Sequence, residues 1–124
     1  LKVRAQSGGL EQEANKKLKS IFIHLQQELD ENLSITRNAN DYCAKLNTSY
    51  KELNDACKTF TNKTIKAFID ETTIFKAKKY LVEPDKNISI TAYMLGFEEV
   101  TNFTKFFKKH TDQTPKQFVA AVSH

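Results

Sequence analysis

The sequence predicts an all-α fold of seven helices. Two observations carry that prediction. Only three glycines and two prolines occur in 124 residues, too few for a turn-rich β fold. Apolar residues recur at helical spacing in segments that open on Asn, Ser or Thr, the residue types that cap helix N-termini.

Residues 1–14 hold two of the three glycines and no apolar period, so a linker or disordered segment is expected there. Leu18, Ile21, Phe22, Leu25 and Leu29 then form one stripe, which predicts a helix over about 15–30. Asn38, Asn40 or Asp41 caps a short second helix that buries Tyr42, Cys43 and Leu46. Asn47, tolerant of a left-handed conformation, ends it. Ser49 caps a third helix, about 50–60, with Leu53, Ala56, Cys57 and Phe60 inward. Thr64 caps a long fourth helix whose stripe runs through Ile65, Phe68, Ile69, Thr72, Ala77, Tyr80 and Leu81. Pro84 stops it just beyond Val82. Two shorter helices, about 88–95 and 99–110, precede a seventh that starts at Pro115 behind the cap Thr114.

Leu95–Phe118 is the most informative stretch. A short helix ends at Gly96, a tight turn follows, and the next helix is both aromatic and basic. That is the grammar of a helix-turn-helix. The same grammar occurs fifty residues earlier. Lys58, Thr61, Thr64, Lys66 and Phe68 fall on Lys108, Thr111, Thr114, Lys116 and Phe118, and Leu53 and Cys57 fall on Phe103 and Phe107. Asn62 matches Asp112 as a residue suited to a left-handed helix end. Ahead of these helices the register slips by one, as if one turn were a residue longer. The reading is a domain over 15–124, with a first unit at about 38–64, a linker helix at about 65–83 and a second unit at about 88–122. A linker of 18 to 20 helical residues spans roughly 27–30 Å. That length approaches the 34 Å spacing of successive major grooves.

The formal charge of +4 permits a polyanionic partner without demanding one. Nine basic residues face eight acidic ones in residues 1–60, and ten face seven in residues 61–124. No apolar run approaches the roughly 20 residues that cross a bilayer, and no signal-peptide pattern opens the chain, so no membrane partner is expected. Cys43 and Cys57 match neither a zinc framework nor a disulfide scaffold, and a reducing cytoplasm suits them. His24, His110 and His124 are scattered, with no ligand spacing. A Gly-rich phosphate loop and a nucleophile elbow are both absent from the sequence. No cofactor, no metal and no enzymatic activity are expected. The chain opens at Leu1, which leads to the expectation of a longer parent protein.

The chain resembles the DNA-binding domain of AraC/XylS-type transcription regulators over about residues 16–120. The most specific match is Ile88-x-x-Thr91-Ala92-x-x-x-Gly96-Phe97, then Phe103-x-x-x-Phe107-Lys108-Lys109, then Thr114-Pro115-x-x-Phe118. The wording of these motifs is most similar to that of Bacteroidetes members. The resemblance implies a seven-helix domain with two helix-turn-helix units joined by a long helix. It also implies sequence-specific binding to double-stranded promoter or operator DNA, with each recognition helix in a successive major groove. A separate N-terminal sensing or dimerising domain, RNA polymerase as a further partner, and a cytoplasmic, nucleoid-associated setting follow from it. The chain departs from the family pattern at Asn62 and Asp112, which stand in place of glycines, and at Thr91, Thr73 and Asp55.

Carried onto this sequence, Val100, Thr101, Thr104 and Lys105 are candidate base contacts of the second unit. Tyr50, Lys51, Asn54 and Asp55 are those of the first. Lys105 suits guanine O6/N7, Asn54 suits adenine N6/N7, and Asp55 can only accept, as from cytosine N4. Lys58, Lys108, Lys109 and Lys116 are candidate phosphate contacts, as are Thr64 and Thr114 at helix starts. The competing expectation is a helical protein-interaction module that kept the fold and lost DNA readout. Asp55 and the low net charge motivate it.

Overall fold

A computed structural model describes residues 2–123. Its elements are α1 (Lys2–Asn32), α2 (Ala39–Lys45), α3 (Tyr50–Thr61), α4 (Ile65–Leu81), α5 (Ile88–Met94), α6 (Val100–Thr111) and α7 (Pro115–Val122). No strand occurs among the described residues. His124 lies outside them. Among the described residues no helix is long and apolar enough to cross a membrane.

The main difference from the sequence expectation is at the start. Residues 2–14, read as a linker, are the first turns of α1. A glycine costs about 1 kcal/mol in a helix interior. Extending a helix already nucleated by the stripe further along costs far less than starting one, so the helix runs through Gly8 and Gly9. Within the stripe, Leu25 and Leu29 are fully buried, and Leu18, Ile21 and Phe22 are half-buried.

Each later boundary has a local cause. Asn38 Oδ1 accepts the Asn40 N–H at 2.8 Å and starts α2. Ser49 Oγ accepts the Glu52 N–H at 3.1 Å and starts α3. Thr64 Oγ1 accepts from Ala67 N at 3.2 Å at the head of α4. Asn87 Oδ1 does the same for Ile90 N, at 2.8 Å, before α5. Thr114 and Gln117 form a reciprocal capping box around Pro115 at the head of α7. Asn47, Asn62, Asp112 and Gly96 carry the positive φ values that end α2, α3, α6 and α5.

The chain divides into two compact units. The first takes the described residues to Asp30 together with Asn38–Phe68, and the second takes Glu31–Arg37 together with the described residues from Ile69 onward. The core of the first holds Leu25, Leu29, Tyr42, Cys43, Leu53, Ala56, Cys57 and Ile65. Phe60, expected inward, is 41% exposed, though its ring stacks on Phe22 at 5.5 Å. The second core is built from Ala77, Leu81, Ala92, Leu95, Phe97, Phe103 and Phe107. Along α4 the buried positions are Ile65, Ile69, Thr73, Ala77 and Leu81, a strict four-residue spacing. Thr73 replaces the expected Thr72 in this row because its hydroxyl donates to the Ile69 carbonyl at 2.7 Å, which lets it be buried without an orphaned polar atom.

Candidate nucleic-acid interface

Each unit holds a helix-turn-helix, α2–α3 in the first and α5–α6 in the second, and the two repeat atom for atom at their ends. Thr61 Oγ1 donates to the Cys57 carbonyl and accepts from Lys63 N. Thr111 Oγ1 donates to the Phe107 carbonyl and accepts from Gln113 N. Asn62 (φ 61°) and Asp112 (φ 63°), fifty residues apart, each donate their N–H to the carbonyl four residues back, Lys58 and Lys108. Leu53 and Cys57, like Phe103 and Phe107, are fully buried.

The one-residue slip has a definite place. Asn38, Leu46 and Asn47 correspond to Asn87, Leu95 and Gly96 at an offset of 49. From the N-caps Ser49 and Glu99 onward the offset is 50. The first turn therefore has one residue, Thr48, where the second has Phe97 and Glu98. The longer turn lets Phe97 enter the core, 5% exposed, against Phe103 and Phe106 at 5.3 Å each.

The sequence-expected contacts on α6 differ in exposure. Thr101, Lys105, Lys108 and Lys109 are exposed, and Phe103 and Phe107 lie on the opposite face at full burial. Thr104 is half-buried. Val100 is half-buried and packs against the second core, so only part of it remains at the surface. The Thr101 hydroxyl sits 3.4 Å from the Glu99 carboxylate. Among the described residues no ion pair engages Lys105, Lys108 or Lys109. Their charge is available to an external anion.

The first unit differs. Tyr50, Lys51, Asp55 and Lys58 are exposed along α3. Asn54 is not free in the way the base-contact expectation requires: its Oδ1 accepts the Ile65 N–H at 2.9 Å. Ile65 opens α4, and its N–H is one of the donors a helix start leaves without an internal partner. Thr64 and Thr114 serve as caps, the first exposed and the second half-buried, and Lys116 is exposed in the first turn of α7.

Three supports of these helices were not found from the sequence. Lys17 of α1 pairs with Glu52 at 2.8 Å, and its hydrogen bond and charge hold the Glu52 carboxyl below the usual range. Arg37 stacks over Phe97 at 3.7 Å and lies 5.4 Å from the Phe106 ring. Burial lowers the Arg37 pKa, and the charge of Asp70 partly opposes that. Asp70 also lies 3.7 Å from His110, whose ring meets Phe106 at 4.5 Å. The second recognition helix is thus braced from the segment before α2. Nothing in the periodicity of residues 31–37 announces this, because the partners lie sixty residues on.

A family model described as a helix-turn-helix domain matches residues 42–121. The chain belongs to the AraC-type helix-turn-helix family. It is a DNA-binding domain of the kind that serves as the output of a transcription regulator. It is 48% identical over 66 residues to an uncharacterized HTH-type transcriptional regulator in the cgkA 5' region of Pseudoalteromonas carrageenovora, a match covering 53% of this chain and 39% of that protein. Among solved structures, the C-terminal domain of the two-component response regulator yesN from Fusobacterium nucleatum is 26% identical with a TM-score of 0.66, covering 77% of this chain and 93% of that one. A transcriptional regulator with an AraC-type DNA-binding domain from Chromobacterium violaceum, 16% identical, shares the fold at a TM-score of 0.72 over 86% of this chain and 95% of its own. The chain spans at most half the length of the first curated relatives it matches.

Proposed function

We propose that this AraC-type domain reads a specific double-stranded DNA sequence, chiefly through α6. The observation that carries the proposal is the division of that helix into two faces. Phe103 and Phe107 are fully buried, and Thr101, Lys105, Lys108 and Lys109 are exposed. Lys105 is the base reader of this set, suited to guanine O6/N7, with Thr101, Thr104 and the exposed part of Val100 beside it as methyl contacts to thymine. Lys108 and Lys109, with Lys58 and Lys116, anchor phosphates and add affinity without sequence information. In the first unit Tyr50, Lys51 and Asp55 are the base-facing side chains, and the carboxylate of Asp55 makes that unit the weaker reader. Thr64 and Thr114 present helix starts to the backbone. The tandem repeat supports two recognition helices in successive major grooves of one duplex.

The role is regulatory and not enzymatic. A sensing or dimerising domain elsewhere in the parent protein governs it, RNA polymerase is its partner at the promoter, and it works at the nucleoid. The names of the relatives, transcriptional regulators and a two-component response regulator, support this reading. Docking of a protein is the competing reading, favoured by Ile90, Tyr93 and Met94, which stand exposed on α5.

Selection of duplexes from a random pool tests the proposal. Enrichment of a single motif supports it. Recovery of unrelated sequences overturns it in favour of docking.

A further inference from the structure

We infer that Asn54 is a positioning residue that latches the first recognition helix to the start of α4, and that its counterpart Thr104 is freed for specificity because Pro115 needs no latch. Ile65 is fully buried at the first position of α4, and its N–H has no partner within the helix. Thr64 Oγ1 serves Ala67 N, two residues further on. The Ile65 donor is met from eleven residues back, by Asn54 Oδ1 at 2.9 Å. A side chain on the recognition helix thereby fixes that helix against the helix that follows it.

The repeat supplies the control. Residues 54 and 65 fall on 104 and 115, and residue 115 is proline, buried at the same first position of α7. Proline has no N–H, so the second unit has no donor to satisfy. Thr104 makes no side-chain hydrogen bond among the described residues and stays half-exposed on α6. Reading adenine takes an Asn amide with Oδ1 and Nδ2 both turned to the base edge. The Ile65 bond turns Oδ1 of Asn54 toward the start of α4. One difference, Ile65 against Pro115, thus decides whether the equivalent position holds the fold or faces DNA.

The test is a double-mutant cycle on the 124-residue chain, read by urea denaturation without DNA and by base preference on duplexes selected by the wild-type chain. N54A raises the unfolding constant about ten-fold, the cost of orphaning a buried N–H. In the I65P background the same change moves it less than about two-fold, because no donor remains to orphan. Under conditions where every variant is folded, N54A weakens binding by a similar factor for all duplexes and keeps the order of base preferences. In the I65P background, where the latch is already absent, N54A adds no further loss of binding. T104A does the reverse, flattening preference at one base pair with the unfolding constant unchanged.

Equal destabilisation by N54A in both backgrounds overturns the latch. So does a loss of preference at a single base pair in N54A with unchanged unfolding. The DNA arm rests on the function proposed above. A wild-type chain without base preference overturns that function and not the latch, which the denaturation cycle decides alone.

Discussion

Gly96 occupies the turn between α5 and α6, and replacing it with alanine is expected to be among the costlier single-methyl changes in this chain. Its φ of 83° lies in the left-handed region, where an L-residue costs about 1–2 kcal/mol relative to glycine. A Cβ built there would stand 2.7 Å from the Leu33 carbonyl oxygen and 3.2 Å from that of Ser34. Both obstacles are backbone atoms, so relief requires the segment before α2 to move, at about 1–3 kcal/mol for an overpacked site. The two terms together give about 3 kcal/mol, or a drop in Tm of roughly 10–15 °C for a domain of this size. Gly9 is the internal control, since a Cβ there meets nothing within 4 Å. Gly9→Ala therefore raises helix content, by the roughly 1 kcal/mol of helix propensity that separates the two residues. Thermal melts and circular dichroism of both variants decide the matter. A Gly96→Ala protein as stable as the wild type would show instead that the close approach to Leu33 is yielding.

Thr91 is fully buried on α5 and its hydroxyl has no hydrogen-bond partner. Thr91→Val keeps the shape and is expected to stabilise the domain by about 1–2 kcal/mol, seen as a higher urea midpoint. Burial pushes the Cys57 thiol from 9.0 up to about 12, with Cys43 adding to it, and the Tyr42 phenol from 10.0 up to about 12, with Glu28 and Asp41 adding to it. Both groups are neutral in the fold and ionise first in the unfolded chain. The Cys57 contribution is full below pH 9 and that of Tyr42 below pH 10, and both are lost as pH rises to about 12. Denaturant midpoints that stay flat from pH 8 to 11 would contradict this. On DNA, Lys105→Ala is expected to cost about 1–3 kcal/mol of discrimination at one or two base pairs. Lys108→Ala is expected to weaken all duplexes alike and to reduce the salt slope by about 1.

Much of this fold was legible because its boundaries are local. Ser49, Thr64, Thr114, Asn62 and Asp112 act on backbone groups within four residues, and such interactions show in short windows of sequence. The repeat was legible for the same reason, as was the extra turn residue that proves to be the room for Phe97. What escaped depends on distant partners. Asn54 reads as an outward amide until α4 places an N–H against it. Arg37 has no signal at all in its own segment, since the rings it covers arrive from residues 97 and 106. Residues 2–14 show the opposite failure: without an apolar face they read as linker, and α1 extends through them from the stripe downstream.

The measurement that bears most directly on the account is a competition titration of the chain on its selected duplex and on random duplex, repeated between 50 and 200 mM salt. Binding to the selected duplex is expected to be at least about 1,000-fold tighter than to random duplex. Affinity is expected to fall steeply and log-linearly with salt, as phosphate neutralisation by the lysines of α3 and α6 requires. Equal affinity for both duplexes, or binding indifferent to salt, would contradict it.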